Sequence, residues 1–326
     1  MEYLQVAGGL ILLVFAGDFL VRGAVTLAHR HNMPPLIIGI TIVAFGTSAP
    51  ELVVSIDAVL TGVPTLALGN VVGSNIANVF LVVGLPAIIA PMTCSAPRLT
   101  RSMLIMLAVT GIFIYLAYQG GFGWQQGLIL LAMLTAFLTY SVVRGRHHPE
   151  EEAEFLAEIE EVEAETKGGL IAMMLIVGGL SGLAFGAHIL ILGSVQVATA
   201  LGVSEAVIGL TLVALGTSLP ELFTALIAAV RGHCDVAVGN VIGSNIFNLL
   251  AIVGIASLFG EIPVPEAFLE FDLWVMLAAS LALLPFAVAR LPIGRIGGVG
   301  LFAAYLLYIY LLTQGASAMS PAEMMP

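Results

Sequence analysis

Gly39-Ile-Thr-Ile-Val-Ala-Phe-Gly-Thr-Ser-Ala-Pro-Glu51 returns 170 residues later as Gly209-Leu-Thr-Leu-Val-Ala-Leu-Gly-Thr-Ser-Leu-Pro-Glu221. A second matched stretch follows each copy at the same offset, Gly69-Asn-Val-Val-Gly-Ser-Asn-Ile-Ala-Asn78 and Gly239-Asn-Val-Ile-Gly-Ser-Asn-Ile-Phe-Asn248. The chain is built twice. In each copy one glutamate sits inside an apolar run, directly after a proline and a Gly-Thr-Ser triplet, residues that interrupt a helix rather than extend it. Corresponding interrupted apolar segments in two halves are the sequence plan of a membrane-embedded binding site.

Composition identifies the solvent. Of 326 residues 60% are hydrophobic and 10% charged, whereas a soluble domain has about 45–50% and about 25%. A spanning helix needs about 20 mostly apolar residues. Ten such segments are predicted, at 3–22, 35–60, 65–91, 101–118, 124–144, 169–190, 204–229, 236–259, 272–289 and 296–314. The expected fold is an all-α integral membrane protein. Its parts are a first repeat of five spans (1–145), an acidic linker (146–168) and a second repeat of five spans (169–326). Because five is odd, the second half enters the bilayer in the opposite sense. The two form inverted repeats, with broken helices at their shared site.

The net charge of −11 is local: nine glutamates lie between Glu150 and Glu165. That stretch reads as a solvated linker, since an EF-hand would alternate ligands around a glycine. No nucleic-acid footprint is present, and no protein partner is implied; the expected partners are the lipid bilayer and inorganic cations. The amino terminus, Met1-Glu-Tyr-Leu-Gln, lacks the positive segment of a cleaved signal peptide.

With ten spans, the connections alternate between two sides. Arg22, Arg30, Arg98, Arg101, Arg144, Arg146, Lys167, Arg231, Arg290 and Arg295 all fall on or beside one of them. The other side carries Glu205, Glu261, Glu266, Glu270 and Asp272. The positive-inside rule then predicts a plasma (inner) membrane protein with linker 146–168 cytoplasmic and both termini outside. Cys94 and Cys234 do not correspond across the repeat and fall near the cytoplasmic face. They read as two free thiols.

A glutamate at the centre of a spanning helix costs about 2.5–3.5 kcal/mol on insertion scales, and two at one repeat offset mark a site. Oxygen donors surround them. Thr47, Ser48, Thr217 and Ser218 bring hydroxyls within a turn of each carboxylate. Ser74 with Asn78, and Ser244 with Asn248, are four apart and share a helix face. The Gly-Thr-Ser-x-Pro break is expected to free carbonyls near Ala44 and Ala214. Such a set of hard oxygens selects alkali and alkaline-earth cations over transition metals. Two carboxylates balance one Ca²⁺ or two Na⁺. Zinc is disfavoured: His29, His31, His147, His148 and His233 lie at loop positions and His188 is alone in a span.

Gly69-x-x-x-Gly73 and Gly239-x-x-x-Gly243 are read as packing glycines that hold spans three and eight against the broken spans. Asp18 and Arg22, four apart, read as a local helix pair, with Asp18 aligned to His188 at the repeat offset. Asp57 aligns with Ile227 and is expected near the outer mouth, where it would steer cations.

At these motifs the sequence resembles the calcium/cation antiporter superfamily, specifically its bacterial and archaeal sodium/calcium exchangers. Gly46-Thr-Ser-Ala-Pro-Glu51 with Gly73-Ser-Asn-Ile-Ala-Asn78 is similar to the family's first α-repeat. Gly216-Thr-Ser-Leu-Pro-Glu221 with Gly243-Ser-Asn-Ile-Phe-Asn248 is similar to its second. The resemblance implies a secondary antiporter, not an enzyme, with Ca²⁺ and Na⁺ as transported ions and no cofactor. It implies Glu51 and Glu221 as shared ligands, completed by the Ala44 and Ala214 carbonyls and the hydroxyls of Thr47, Ser48, Thr217, Ser218, Ser74 and Ser244. Some members, including potassium-dependent exchangers, carry aspartate where this chain has Asn248.

A Ca²⁺/H⁺ antiporter on the same scaffold is the alternative, because a carboxylate accepts a proton as well as a metal ion. The neighbouring hydroxyls and amides favour sodium, which needs solvating oxygens. A passive channel matches broken helices in inverted halves poorly. An intramembrane hydrolase would need a nucleophile–base or paired-aspartate constellation, which Asp18 and His188 do not supply.

Overall fold

Long apolar runs become helices because a bilayer offers backbone groups no partners except one another. The computed structural model describes residues 2–30, 48–94, 97–147, 168–288 and 291–318. The helices in chain order are α1 (Glu2–Arg30), α2 (Ala49–Leu60), α3 (Pro64–Ile89), α4 (Pro97–Ala117), α5 (Trp124–His147) and α6 (Gly169–Leu201). They continue with α7 (Glu205–Thr217), α8 (Leu219–Arg231), α9 (Cys234–Ala256), α10 (Phe268–Ala287) and α11 (Arg295–Ala318). Among the described residues eight helices are long and apolar enough to cross a membrane, and α7 with α8, bent by 45°, makes a ninth. Helix α2 has 12 residues, about 18 Å of helix. The rest of the predicted second span, 35–47, lies outside the described residues, as does most of the acidic linker, 148–167.

The connections pair by side. Between α4 and α5, β1 (Gly121–Phe122) runs antiparallel to β2 (Ile262–Pro263), which lies between α9 and α10. On the opposite side Met92, after α3, exchanges backbone hydrogen bonds with Ile293, before α11, at 3.1 and 2.7 Å. There Cys94 is disulfide-bonded to Cys234, with Cα atoms 5.1 Å apart. This corrects the reading of two free thiols. The two cysteines are 140 residues apart and have no repeat correspondence, so nothing in the linear pattern pairs them. The bond also requires an even number of crossings between its ends, met when α4, α5, α6 and the bent pair α7–α8 each cross once.

Helices α3 and α9 are the most buried spans and form the centre. Both change winding at the same motif position: Asn78–Val83 and Asn248–Ile252 are π-helical turns, a feature that recurs at functional sites. The turns that lead into α3 and α9 are equivalent too, each using a left-handed glycine, Gly62 at φ 84° and Gly232 at φ 86°.

Around this centre α1 lies antiparallel against α6 in a glycine-lined seam. A Cβ on Gly9 would stand 2.8 Å from the Leu190 backbone nitrogen, and one on Gly179 would stand 2.8 Å from the Ala16 carbonyl oxygen. Without a hydrophobic drive between helices in lipid, such close backbone approach supplies the attraction. The glycines of α3 act the same way across the halves. A Cβ on Gly69 would lie 2.5 Å from the Ala206 carbonyl oxygen, and one on Gly209 would lie 2.6 Å from that of Leu66. Span three is therefore packed on broken span seven; a Cβ at Gly243 meets no described atom within 4 Å.

Two contacts join separate spans. Asp272, the first residue of the predicted span 272–289, is buried in α10 and accepts a hydrogen bond from Tyr308 Oη at 2.9 Å. His188, the one histidine of its span, has its Nδ1 3.4 Å from Asp57 Oδ2. In both cases the partner comes from another span, beyond the reach of local pattern.

Candidate functional site

Helices α2 and α8 both start at the repeated Ser-x-Pro-Glu. Ser48 and Ser218 are the N-cap residues, the proline stands in the first turn, and Glu51 and Glu221 complete it. Proline fits there because its missing N–H is one that the helix end would leave unbonded. The positive end of the helix dipole lies against each carboxylate and favours negative charge. Both glutamates are fully buried, at 0% exposure.

The halves meet at these carboxylates. Ser48 Oγ caps no N–H of its own helix but donates to Glu221 Oε1 at 3.4 Å, and Ser244 Oγ donates to the same oxygen at 3.4 Å. Asn70 Nδ2 donates to the Glu51 carbonyl at 3.3 Å and to Ser55 Oγ at 3.1 Å, while its Oδ1 accepts from Thr217 Oγ1 at 3.1 Å. One asparagine thus joins the Glu51 helix to the break before α8.

Beside the glutamates α3 and α9 cross through a second set of amides. Asn78 Nδ2 donates to Asn245 Oδ1 at 3.0 Å, and Asn248 Nδ2 donates to Asn75 Oδ1 at 3.0 Å. Buried oxygens of the repeated motifs without a hydrogen-bond partner among the described residues include Oε1 and Oε2 of Glu51, Oγ of Ser74 and Ser218, and Oδ1 of Asn78 and Asn248. Buried polar atoms are otherwise nearly always satisfied, so these bare oxygens mark the repeated motifs as the candidate site. No group of three or more His, Cys, Asp or Glu placed to hold a metal ion occurs among the described residues.

Comparison with known proteins identifies the relatives of this site. Residues 1–143 and 171–314 match the family described as sodium/calcium exchanger protein. The chain belongs to the sodium/calcium exchanger family. It is 38% identical over 309 residues to the putative antiporter CaxA of Alkalimonas amylolytica, covering 93% of this chain and 96% of that protein. It is 33% identical to the sodium/calcium exchanger MaX1 of Methanosarcina acetivorans, covering 96% and 98%. Among solved structures, the sodium-calcium exchanger NCX_Mj soaked with Na⁺ and Sr²⁺ matches with a TM-score of 0.65 at 34% identity, covering 95% of this chain and 97% of that one. This member of the exchanger family is accordingly an integral membrane protein of helical spans.

Of the oxygen donors expected from sequence, Ser48, Glu51, Ser74, Asn78, Thr217, Ser218, Glu221, Ser244 and Asn248 are all buried in this region. Ala44 and Thr47 lie outside the described residues. Ala214 is present, but its carbonyl is not free: it accepts the Ser218 N–H at 3.1 Å and Thr217 Oγ1 at 3.4 Å. The helix runs on to Thr217 before it breaks, because the donor that Pro220 removes belongs to the carbonyl four residues earlier, at Gly216. Sequence reasoning passed over Asn70, Asn75 and Asn245. The signal was there: Asn70 and Asn75 recur as Asn240 and Asn245 at the 170-residue offset.

Proposed function

We propose that this exchanger is a secondary active antiporter that moves Ca²⁺ against Na⁺ by alternating access, with Glu51 and Glu221 as shared ion ligands. The observation that carries the reading is the cluster of buried, unpartnered oxygens around two buried carboxylates supplied by equivalent helix starts. Two negative charges balance one Ca²⁺ or two Na⁺, so the two loads compete for one set of oxygens. Amide oxygens of Asn78 and Asn248 and hydroxyls of Ser48, Ser74, Thr217, Ser218 and Ser244 complete the proposed shell, with Thr47 and the Ala44 carbonyl from the matching motif. Ala214 would ligate only through a carbonyl that already accepts two hydrogen bonds.

The reciprocal amide contacts of α3 and α9 and the same-side pairing of the connections support two five-span repeats of opposite orientation, ten spans in all. The distribution of arginine and lysine supports a cytoplasmic linker and outer termini; the Cys94–Cys234 bond on the linker's face argues the other way, since cytosolic thiols are kept reduced. The names of CaxA and MaX1, an antiporter and a sodium/calcium exchanger, agree with exchange as the activity.

The test is calcium flux into proteoliposomes under imposed gradients. Uptake driven by an outward Na⁺ gradient at equal pH on both sides is expected. Uptake driven only by a proton gradient would replace this reading with Ca²⁺/H⁺ antiport, and uptake without any counter-ion gradient would indicate a channel.

A further inference from the structure

The repeat that builds the site is broken at one pair of positions beside it. Asp57 lies on α2 beyond Glu51, and its Oδ2 stands 3.4 Å from Nδ1 of His188, near the middle of α6. Their equivalents at the 170-residue offset are Ile227 and Asp18, which cannot form such a pair. Asp18 is instead bound to Arg22 of its own helix at 2.9 Å. The seam between α2 and α6 therefore carries a titratable contact that the equivalent seam between α8 and α1 lacks. The side chains of His188 and Asp57 remain 51% and 25% exposed. Ionisable groups at membrane depth line polar passages rather than lipid.

We propose that Asp57 and His188 form a proton-operated latch between α6 and the Glu51 helix, acting from one membrane face only. This inference rests on the antiport reading for its effect on transport. Histidine changes charge between about pH 5 and pH 8. As imidazolium it makes a charge-assisted hydrogen bond to the aspartate; as the neutral ring it makes a weaker one. Helix α6 itself carries no other acidic or basic residue. Among the described side chains, the elements packed against it contribute Glu2, Asp18 and Arg22 from α1, Glu51 and Asp57 from α2, and Glu205 from α7. Asp57 is the carboxylate that forms an ion pair with His188 among the described residues. Acid on that face strengthens the contact, holds α2 against α6 and slows the rearrangement that the carriers of Glu51 must undergo.

The experiment uses the full-length protein in vesicles of defined orientation, at calcium concentrations that saturate the site so that proton competition at the glutamates is overcome. The pH is varied on one face at a time. Wild-type sodium-driven calcium flux is expected to be about threefold slower at pH 6 than at pH 8, an effect of the size of an exposed ion pair. The slowing is expected only from the face where α2 ends. His188→Gln and Asp57→Asn are expected to abolish that difference. A flat wild-type profile, or variants that keep it, overturns the latch. A second readout is independent of transport. The melting temperature of wild type relative to His188→Gln is expected to be higher at acid than at alkaline pH, because a contact that favours the protonated ring stabilises the fold where that ring is protonated. Absence of flux at every pH with this stability difference intact would refute the antiport reading and leave the latch standing; a pH-independent difference refutes the latch.

Discussion

Asn75 and Asn245, 170 positions apart, each donate a side-chain amide to the other's backbone carbonyl, at 3.4 and 3.2 Å. The exchange is reciprocal and stitches the two central helices together at the level of the site. Both residues are buried, so each side-chain donor depends on the other half of the chain. A buried polar group that loses its partner costs about 1–3 kcal/mol. Asn75→Leu strands Asn248 Nδ2, while the Asn245 carbonyl keeps the Asn248 backbone N–H, and is expected to lower stability by about 1–3 kcal/mol. Asn245→Leu is expected to cost a similar amount, and the double variant less than the sum. Thermal unfolding in detergent measures all three.

Glu51→Gln and Glu221→Gln each remove one of the two charges of the proposed calcium site while keeping the side chain's size. Each is expected to weaken calcium binding at least a hundredfold, about 3 kcal/mol, with the protein still inserting and folding. Calorimetric calcium titration of the purified variants measures the loss. Calcium affinity at the wild-type level in both single variants would remove these glutamates from the site.

In the proposed site protons and metal ions compete for the same carboxylate oxygens, because a ligand must be deprotonated to bind metal. Calcium affinity is therefore expected to fall as pH falls, with a limiting slope of about one decade per pH unit for each proton displaced. The direction follows from charge: acid neutralises the ligands and does nothing for the ion. Equilibrium calcium binding across a series of buffers measures the slope, and an affinity that stays level from neutral to acidic pH contradicts the competition.

Charge counting extends to potassium. Asn78 and Asn248 are neutral, so a K⁺ bound beside Ca²⁺ would exceed the two carboxylates by one charge, and an uncompensated buried ion costs several kcal/mol. Sodium-driven calcium flux is expected to persist when potassium is replaced by an inert cation, and strict dependence on potassium would refute the count. Asn248→Asp, which supplies a third carboxylate, is expected to lose stability. Its oxygen would face Asn75 Oδ1, which now accepts from Asn248 Nδ2 at 3.0 Å. The cost of that lost bond is about 1–3 kcal/mol, again read by thermal unfolding.

Much of the candidate site is legible in the sequence. The repeat offset joined Glu51 to Glu221 and Ser74 to Ser244, and the Ser-x-Pro-Glu motif located the helix starts. These are local signals, carried by spacing and by proline's missing donor. Asn70 and Asn75 lay in the same motifs but were missed, because their role appears only across the halves. Asn70 joins Glu51 to Thr217, and Asn75 meets Asn245.

What the sequence by itself determined is the solvent, the helical class, the duplication and the oxygen chemistry of the site. Apolar length, periodic recurrence and residue type express these along the line of the chain. Only the tertiary structure decided which surfaces meet: Cys94 with Cys234, Asp57 with His188, Asp272 with Tyr308, and Gly69 against Gly209. The reason is the solvent. In water an apolar stripe announces the face that a helix buries. In lipid nearly every face is apolar, so partners are chosen by close backbone approach and by scattered polar bonds.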